Sequence, residues 1–176
     1  MERFPQIILE IETLELGIAA GLQDRVIQVY GGLCHMDFTG IADGATAGIY
    51  TKLDSRLLPP LYLAYNTRVG GDSGKVHSTV KQRWTDKDPE LMAGMAEIAA
   101  LADEGRVALL QGQPQKLGPL FLRNFATRRR LYGDGVVGAK NIAAAGVAAS
   151  VGLCAKFSGS GGALLCIRSE DSPQEW

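Results

Sequence analysis

Glycine punctuates this chain and sets the length of what can form between its clusters. It supplies 22 of 176 residues, against an average near 7%. Much of it falls in short groups, at Gly31-Gly32, Gly70-Gly71 and Gly159 to Gly162. A residue without Cβ takes positive φ at no steric cost, so such groups mark turns, or loops that must approach a ligand closely. The chain therefore reads as short elements around glycine loops, in one ordinary domain or two small ones. At this size about 68–70% of the unfolded surface can be buried, enough for a real core.

Composition removes several classes. Hydrophobic residues at 46% and charged residues at 21% exclude a disordered chain. Eighteen Lys+Arg against 19 Asp+Glu leave a formal charge of −1, with no general electrostatic reason to bind nucleic acid or an anionic membrane. Cys34, Cys154 and Cys166 show no paired spacing, and with only His35 and His77 there is neither a zinc pattern nor a disulfide framework. We read the three as buried free thiols, and expect no metal ligated by the chain itself. No apolar run approaches the roughly 18 residues of a membrane span. Glu2, Glu10, Glu12 and Glu15 are wrong for a signal peptide, so the expected location is the cytoplasm.

Phe4, Ile7, Ile8, Ile11 and Leu14 have helical spacing, with Pro5 near the start and Gly17 as a stop. Gln23 to Tyr30 makes two more helical turns, and Leu33–Phe38 should pair with Gly48–Lys52 as neighbouring strands. Pro59-Pro60 marks a boundary, dividing the chain into 1–57 and 58–176. Beyond it Leu61–Tyr65 reads as a strand and Ser73–Trp84 as a short helix. Asp88-Pro89-Glu90 opens a helix with a cap, a first-turn proline and an acid. A helix through Leu117–Phe125 and an Ala/Gly-rich one over Val136–Ser150 follow, then strands Leu153–Phe157 and Ala163–Ile167. Strands flanking a block of helices define the class α+β.

Four features could carry chemistry. Gly70 to Lys75 fails as a P-loop, because Val69 stands where the first Gly is needed and Val76 where Ser or Thr is. What remains is a capped helix start with Lys75 in its first turn, an anion site at best. Ser158 to Gly162 joins two strands and could present successive N–H groups to a phosphate, although a tight hairpin needs glycine anyway. Asp24 is either a helix cap or a base facing a hydroxyl. Arg128-Arg129-Arg130 complements a helix dipole or clamps an anion. His35 and His77 are read as structural or substrate-edge residues.

Three segments in this order resemble the GHMP sugar kinases, and among them the plant-type glucuronokinases: Gly17 to Phe38, Asp72 to Trp84, and Lys156 to Ala163. The first resembles the family segment in which an aspartate enters the active site. The third is similar to its C-terminal glycine-rich motif. The resemblance implies a ferredoxin-like GHMP C-terminal lobe over 58–176, with 1–57 a remnant of the ribosomal-protein-like N-terminal lobe. It implies transfer of a phosphoryl group from ATP, with Mg²⁺, to the anomeric hydroxyl of glucuronate, in salvage toward UDP-glucuronate. Asp24 would orient or deprotonate that hydroxyl. Ser158, Gly159, Ser160, Gly161 and Gly162 would lie beside the phosphates, and Ser73, Lys75 and His77 beside the sugar. The family's Pro-x-x-x-Gly-Leu-Gly-Ser-Ser-Ala loop, which cradles ATP, does not occur in these 176 residues. The expectation is thus the latter part of a kinase, inactive alone and self-associating through its first helix. The alternatives are another sugar 1-kinase of that superfamily, or a non-catalytic ligand-binding or interaction fragment.

Overall fold

The computed structural model describes residues 3–18, 20–42, 44–65, 80, 82–159 and 161–170. Their packing divides the chain into two compact units, Met1–Leu57 and Leu58–Trp176.

In the first unit, helix α1 (Phe4–Glu10) has Pro5 in its first turn, where a missing N–H costs nothing. It does not continue as an α-helix to Leu14. Residues Ile11–Glu15 form a π-helical turn, closed by Leu16 N–H donating to the Ile11 carbonyl at 3.1 Å, and Gly17 at φ 65° ends it. Helix α2 (Leu22–Tyr30) starts from extended Gly21 and stops at Gly31, whose φ of 61° breaks the helix. Its Val26 is fully buried, and Arg25 pairs with Glu12 of the π turn. Strands β1 (Leu33–Asp37) and β2 (Ile49–Leu53) pair antiparallel, Leu33 opposite Leu53 and Asp37 opposite Ile49, as the sequence pattern suggests. The single turn α3 (Thr39–Ala42) lies in their connection, its start tied by Thr39 N–H donating to Asp37 Oδ1 at 2.8 Å. Tyr50 meets Tyr30 and Phe38 edge-on, with centroids 5.5 and 6.0 Å away.

The second unit is built on a three-stranded antiparallel sheet of order β3-β5-β4, from β3 (Tyr62–Tyr65), β4 (Leu153–Phe157) and β5 (Ala163–Arg168). Between β3 and β4 come α4 (Pro89–Leu110), α5 (Leu117–Tyr132), the turn α6 (Asp134–Val137) and α7 (Ala139–Ser150). Asp88 starts α4, its Oδ1 accepting the N–H groups of Glu90 and Leu91 at 2.9 and 3.1 Å. Gly94 lets α4 lie directly on Leu131 of α5; a Cβ there would sit 2.5 Å from both Leu131 methyls. The Ala/Gly-rich helix does not run unbroken from Val136. Gly138 at φ 86° interrupts it, and α7 restarts at Ala139. Leu91, Leu164, Cys166 and Ile167 are sealed from solvent, and Phe125, Phe157 and Ile142 pack in the cluster where α5 and α7 meet β4 and β5.

The architecture is α+β, helix-rich with small antiparallel sheets. The segment expected to form the Ser73–Trp84 helix falls mostly outside the described residues; 82–85 are helical.

Candidate functional site

The hairpin between β4 and β5 carries the glycine loop. Its base is held by Ser158, whose N–H donates to the Ala163 carbonyl at 3.2 Å, with the Ser158 hydroxyl donating to the same oxygen at 3.3 Å. Gly161 at φ 144° and Gly162 at φ 79° occupy backbone conformations that L side chains rarely adopt, so glycine is a geometric need here. Ser158 and Gly159 are exposed, while Gly161 and Gly162 are half-buried. Ser160 lies outside the described residues.

Two side chains from the helices behind reach this loop. Asn141, on the first turn of α7, accepts the Gly162 N–H through Oδ1 at 3.1 Å and donates through Nδ2 to the Val137 carbonyl at 2.7 Å. Arg128, on α5, donates through Nη1 to the Gly159 carbonyl at 3.1 Å. Its guanidinium lies over the rings of Phe157 and Tyr132, at 5.1 and 5.7 Å from their centroids. The arginine triplet is thus shared among three jobs. Arg129 forms a two-pronged pair with Asp134, holding the carboxyl of Asp134 below the usual carboxylate range, and Arg130 pairs with Glu97. Arg128 is the member that faces the loop.

Lys156 precedes the loop by two residues. Its ammonium donates to the Phe157 carbonyl at 2.8 Å and lies 5.6 Å from the Phe121 centroid. Burial, and then the charge of Arg128, lower its pKa below the ordinary lysine value. A groove of about 530 Å³ opens beside the loop, lined by Tyr65, Lys140, Asn141, Val147, Leu153 and Gly162 among others. It is mostly apolar, with the lysine, the amide and the loop glycine as its polar edge.

Asp24 belongs to the other unit. It is not the cap of α2: Gly21 holds that position, and no side chain caps the helix. Asp24 sits in the first turn, where the dipole favours a carboxylate, with its side chain largely exposed and 3.4 Å from Arg25 Nη1. Its carboxylate is therefore presented to solvent and is not consumed in capping. Ser73, Lys75 and His77 lie outside the described residues. His35 is on β1 opposite Thr51. Cys154 and Cys166 are buried free thiols, but Cys34 is only half-buried, because β1 belongs to a two-stranded sheet with little to cover it; burial pushes all three thiols up. Among the described residues no group of three or more His, Cys, Asp or Glu gathers around a metal-sized space, and no helix is long and apolar enough to cross a membrane.

Neither Asn141 nor the loop role of Arg128 was legible beforehand. Asn141 sits in an Ala-rich helix with its loop partner 21 residues on, a separation no local motif records.

The chain is 52% identical over 171 residues to glucuronokinase 1 of Arabidopsis thaliana, covering 97% of this chain and 47% of that protein. It is 52% identical over 172 residues to probable glucuronokinase 2 of the same plant, covering 97% and 46%. The resemblance to the glucuronokinases read from the three sequence segments is borne out, and the chain spans about half the length of the curated relatives it matches. No family model matches the chain, and no solved structure matches it.

Proposed function

We propose that this chain is part of an ATP-dependent sugar 1-kinase that phosphorylates D-glucuronate at its anomeric hydroxyl. The observation that carries the reading is the 52% identity to two proteins called glucuronokinases, sustained over 97% of the chain. On this reading 58–176 is a GHMP-type C-terminal lobe of ferredoxin-like kind and 1–57 part of the other lobe.

The fit of the glycine loop to a phosphate rests on its donors. Of its described N–H groups, those of Ser158 and Gly162 are committed to Ala163 and Asn141. The N–H groups of Gly159 and Gly161 have no hydrogen-bond partner among the described residues, and Arg128 adds a cation against the Gly159 carbonyl. A small anion-binding set of this kind suits a phosphate oxygen but not a whole triphosphate. ATP with Mg²⁺, when bound, supplies the transferable phosphoryl group and screens its charge. The chain's own contributions are then limited and specific. The loop would hold one phosphate edge in place. The exposed carboxylate of Asp24 would orient the sugar hydroxyl and accept its proton. Ser73, Lys75 and His77 are proposed for the sugar, the lysine answering the uronic carboxylate.

The test is an ADP-release assay with glucuronate, galacturonate, glucose and galactose. We expect no turnover from residues 1–176 alone. Positioning is worth about 7–11 kcal/mol, a factor of about 10⁵–10⁸ in rate, and the ATP-cradling loop is not among these residues. Joined to a family N-terminal segment that carries such a loop, the protein should turn over glucuronate and discriminate against the neutral sugars. Turnover of glucose equal to that of glucuronate would sink the substrate assignment.

A further inference from the structure

We propose that Asn141 is the positioning residue of the glycine loop. By tying Gly162 to the α6–α7 junction it fixes which of the loop's N–H groups face a phosphate, namely those of Gly159 and Gly161. The ligand half of this proposal rests on the phosphate reading given above; the holding half does not.

The geometry leads there in three steps. First, the loop's backbone has little of its own to hold it: within it, Ser158 closes the hairpin onto Ala163, and a glycine-rich loop without further ties samples many conformations. Second, Asn141 uses both ends of its amide. Nδ2 donates to the Val137 carbonyl at 2.7 Å, which orients the group, and Oδ1 then accepts the Gly162 N–H at 3.1 Å. Because the amide is planar, anchoring one end aims the other. Third, the approach is close enough to be selective. A Cβ on Gly161 would lie 3.2 Å from Asn141 Nδ2, tighter than nearly all real contacts, and Gly161 already sits at φ 144°. Asn141 in this position thus favours glycine at 161. Arg128 supplies the second tie at the opposite shoulder of the loop, through the Gly159 carbonyl. That bond turns the carbonyl of Gly159 inward toward α5. Asn141 also lines the groove beside the loop, so whatever enters the groove meets the same side chain that sets the loop.

The experiment uses the full 176-residue chain, isotope-labelled for amide spectroscopy, and titrates it separately with MgATP and with inorganic phosphate. In the wild type the Gly162 amide should exchange with solvent at least ten times more slowly than those of Gly159 and Gly161, and both titrants should move Gly159 and Gly161 most. Asn141→Ala should keep its far-UV dichroism and the slow exchange of β4 and β5. It should lose the Gly162 protection, and phosphate should bind it about fivefold more weakly, as expected for one hydrogen bond of about 1 kcal/mol. Asn141→Asp keeps the oxygen that Gly162 needs but loses the Val137 anchor that aims it, so its Gly162 protection should fall between wild type and the alanine variant; should the alanine variant unfold, wild-type protection in Asn141→Asp overturns the aiming. Protection of Gly162 unchanged in Asn141→Ala overturns the holding role. Phosphate affinity within twofold of wild type in the alanine variant overturns the ligand role. A wild-type loop that ignores both titrants sinks the phosphate reading together with the ligand half, while the exchange comparison still decides the holding half.

Discussion

The two units of this chain reach order by different means. Among the described residues of 1–57, Pro5 and Val26 are the buried ones, and the unit is tied instead by the β1–β2 pairing, the Arg25–Glu12 ion pair and the Tyr50 ring contacts. The second unit seals Leu91, Leu164, Cys166 and Ile167 between helices and a three-stranded sheet. A two-stranded pairing is marginal by itself, and a unit with a thin core sits at the low end of local stability. The lesson is about where function can be held. On the proposed function, the loop that would present backbone donors at fixed places is on the rigid unit, backed by Asn141 and Arg128. The carboxylate proposed to accept a proton, that of Asp24, is on the looser one, in the first turn of a short helix.

The sharpest way to break this contrast is catalytic. In the joined, active protein, Asp24→Asn should lower kcat by about 10²–10⁴, the ordinary worth of a general base, with little change in glucuronate KM. Steady-state kinetics decide it, and wild-type kcat in the variant would remove Asp24 from the chemistry. Nothing comparable should follow from Glu12→Gln, which breaks the ion pair inside the same unit.

Next in size is the core. Leu164→Ala should cost about 2–5 kcal/mol in urea unfolding, since Leu164 is 1% exposed and belongs to the core cluster with Ala155, Phe157 and Cys166. Ile11→Ala, at 49% exposure, should stay within about 0.5 kcal/mol. Phe4, Ile7 and Leu14 are exposed too, whereas Ile8, expected on the same stripe, is half-buried. If that stripe associates, the chain should sediment as a concentration-dependent oligomer that Ile7→Lys with Ile11→Lys reduces to monomer; a monomer at all concentrations in the wild type would count against it. Equal penalties for Leu164→Ala and Ile11→Ala would show that the first unit hides more core than its surface suggests.

Much of this was legible in the sequence, and the reasons it failed elsewhere are physical. Asp88-Pro89-Glu90 predicts its helix because all three signals act locally. The strands Leu61–Tyr65, Leu153–Phe157 and Ala163–Ile167 are bounded by proline or glycine and appear within a residue of their expected ends. The π turn at Ile11–Glu15 was not legible, because the apolar spacing from Phe4 to Leu14 suits a continuous α-helix and Gly17 alone cannot show where the winding changes. Asp24 read as a cap because an acid after a glycine turn commonly is one; here Gly21 takes that place three residues earlier. At Gly138 a helix-rich composition concealed a break that only a positive φ reveals. The loop's partners were invisible for the reason that makes them informative: Asn141 and Arg128 act across 21 and 31 residues of chain.

A smaller test sharpens the packing side of the comparison. Gly94→Ala gains about 1 kcal/mol of helix propensity in an α-helix interior. Against that, the new methyl meets Leu131 at 2.5 Å, and Leu131 is itself buried at 3% exposure and has nowhere to turn. Overpacking of this kind costs about 1–3 kcal/mol. The net expectation is a loss of up to about 2 kcal/mol in urea unfolding. A gain would mean that α4 and α5 separate easily and that the second unit is softer than its buried residues imply.

The smallest effect is a pH dependence, and it tests the rigid unit at its one strained charge. Lys156 is held beside Arg128 and partly out of water, so its folded pKa lies below the ordinary 10.5 that it regains on unfolding. Between the lowered value and 10.5 the unfolded chain therefore binds more protons than the folded one, and stability rises with pH through that window. Below it both states are charged and the cost of burying the ammonium is present in full; above it both are neutral and the cost is gone. The Phe157 carbonyl and the Phe121 ring recover part of that cost, and the side chain is only half-buried, so water screens the remainder. Lys156→Met removes the titration and keeps the stem packed on Phe121. Urea midpoints of the two proteins should therefore differ most at neutral pH, with the variant equal or higher, and converge as pH climbs toward 10.5. Midpoints that diverge as pH rises would mean that the charged lysine stabilises the hairpin, and the rigid unit would then be holding its loop with a cation as well as an amide.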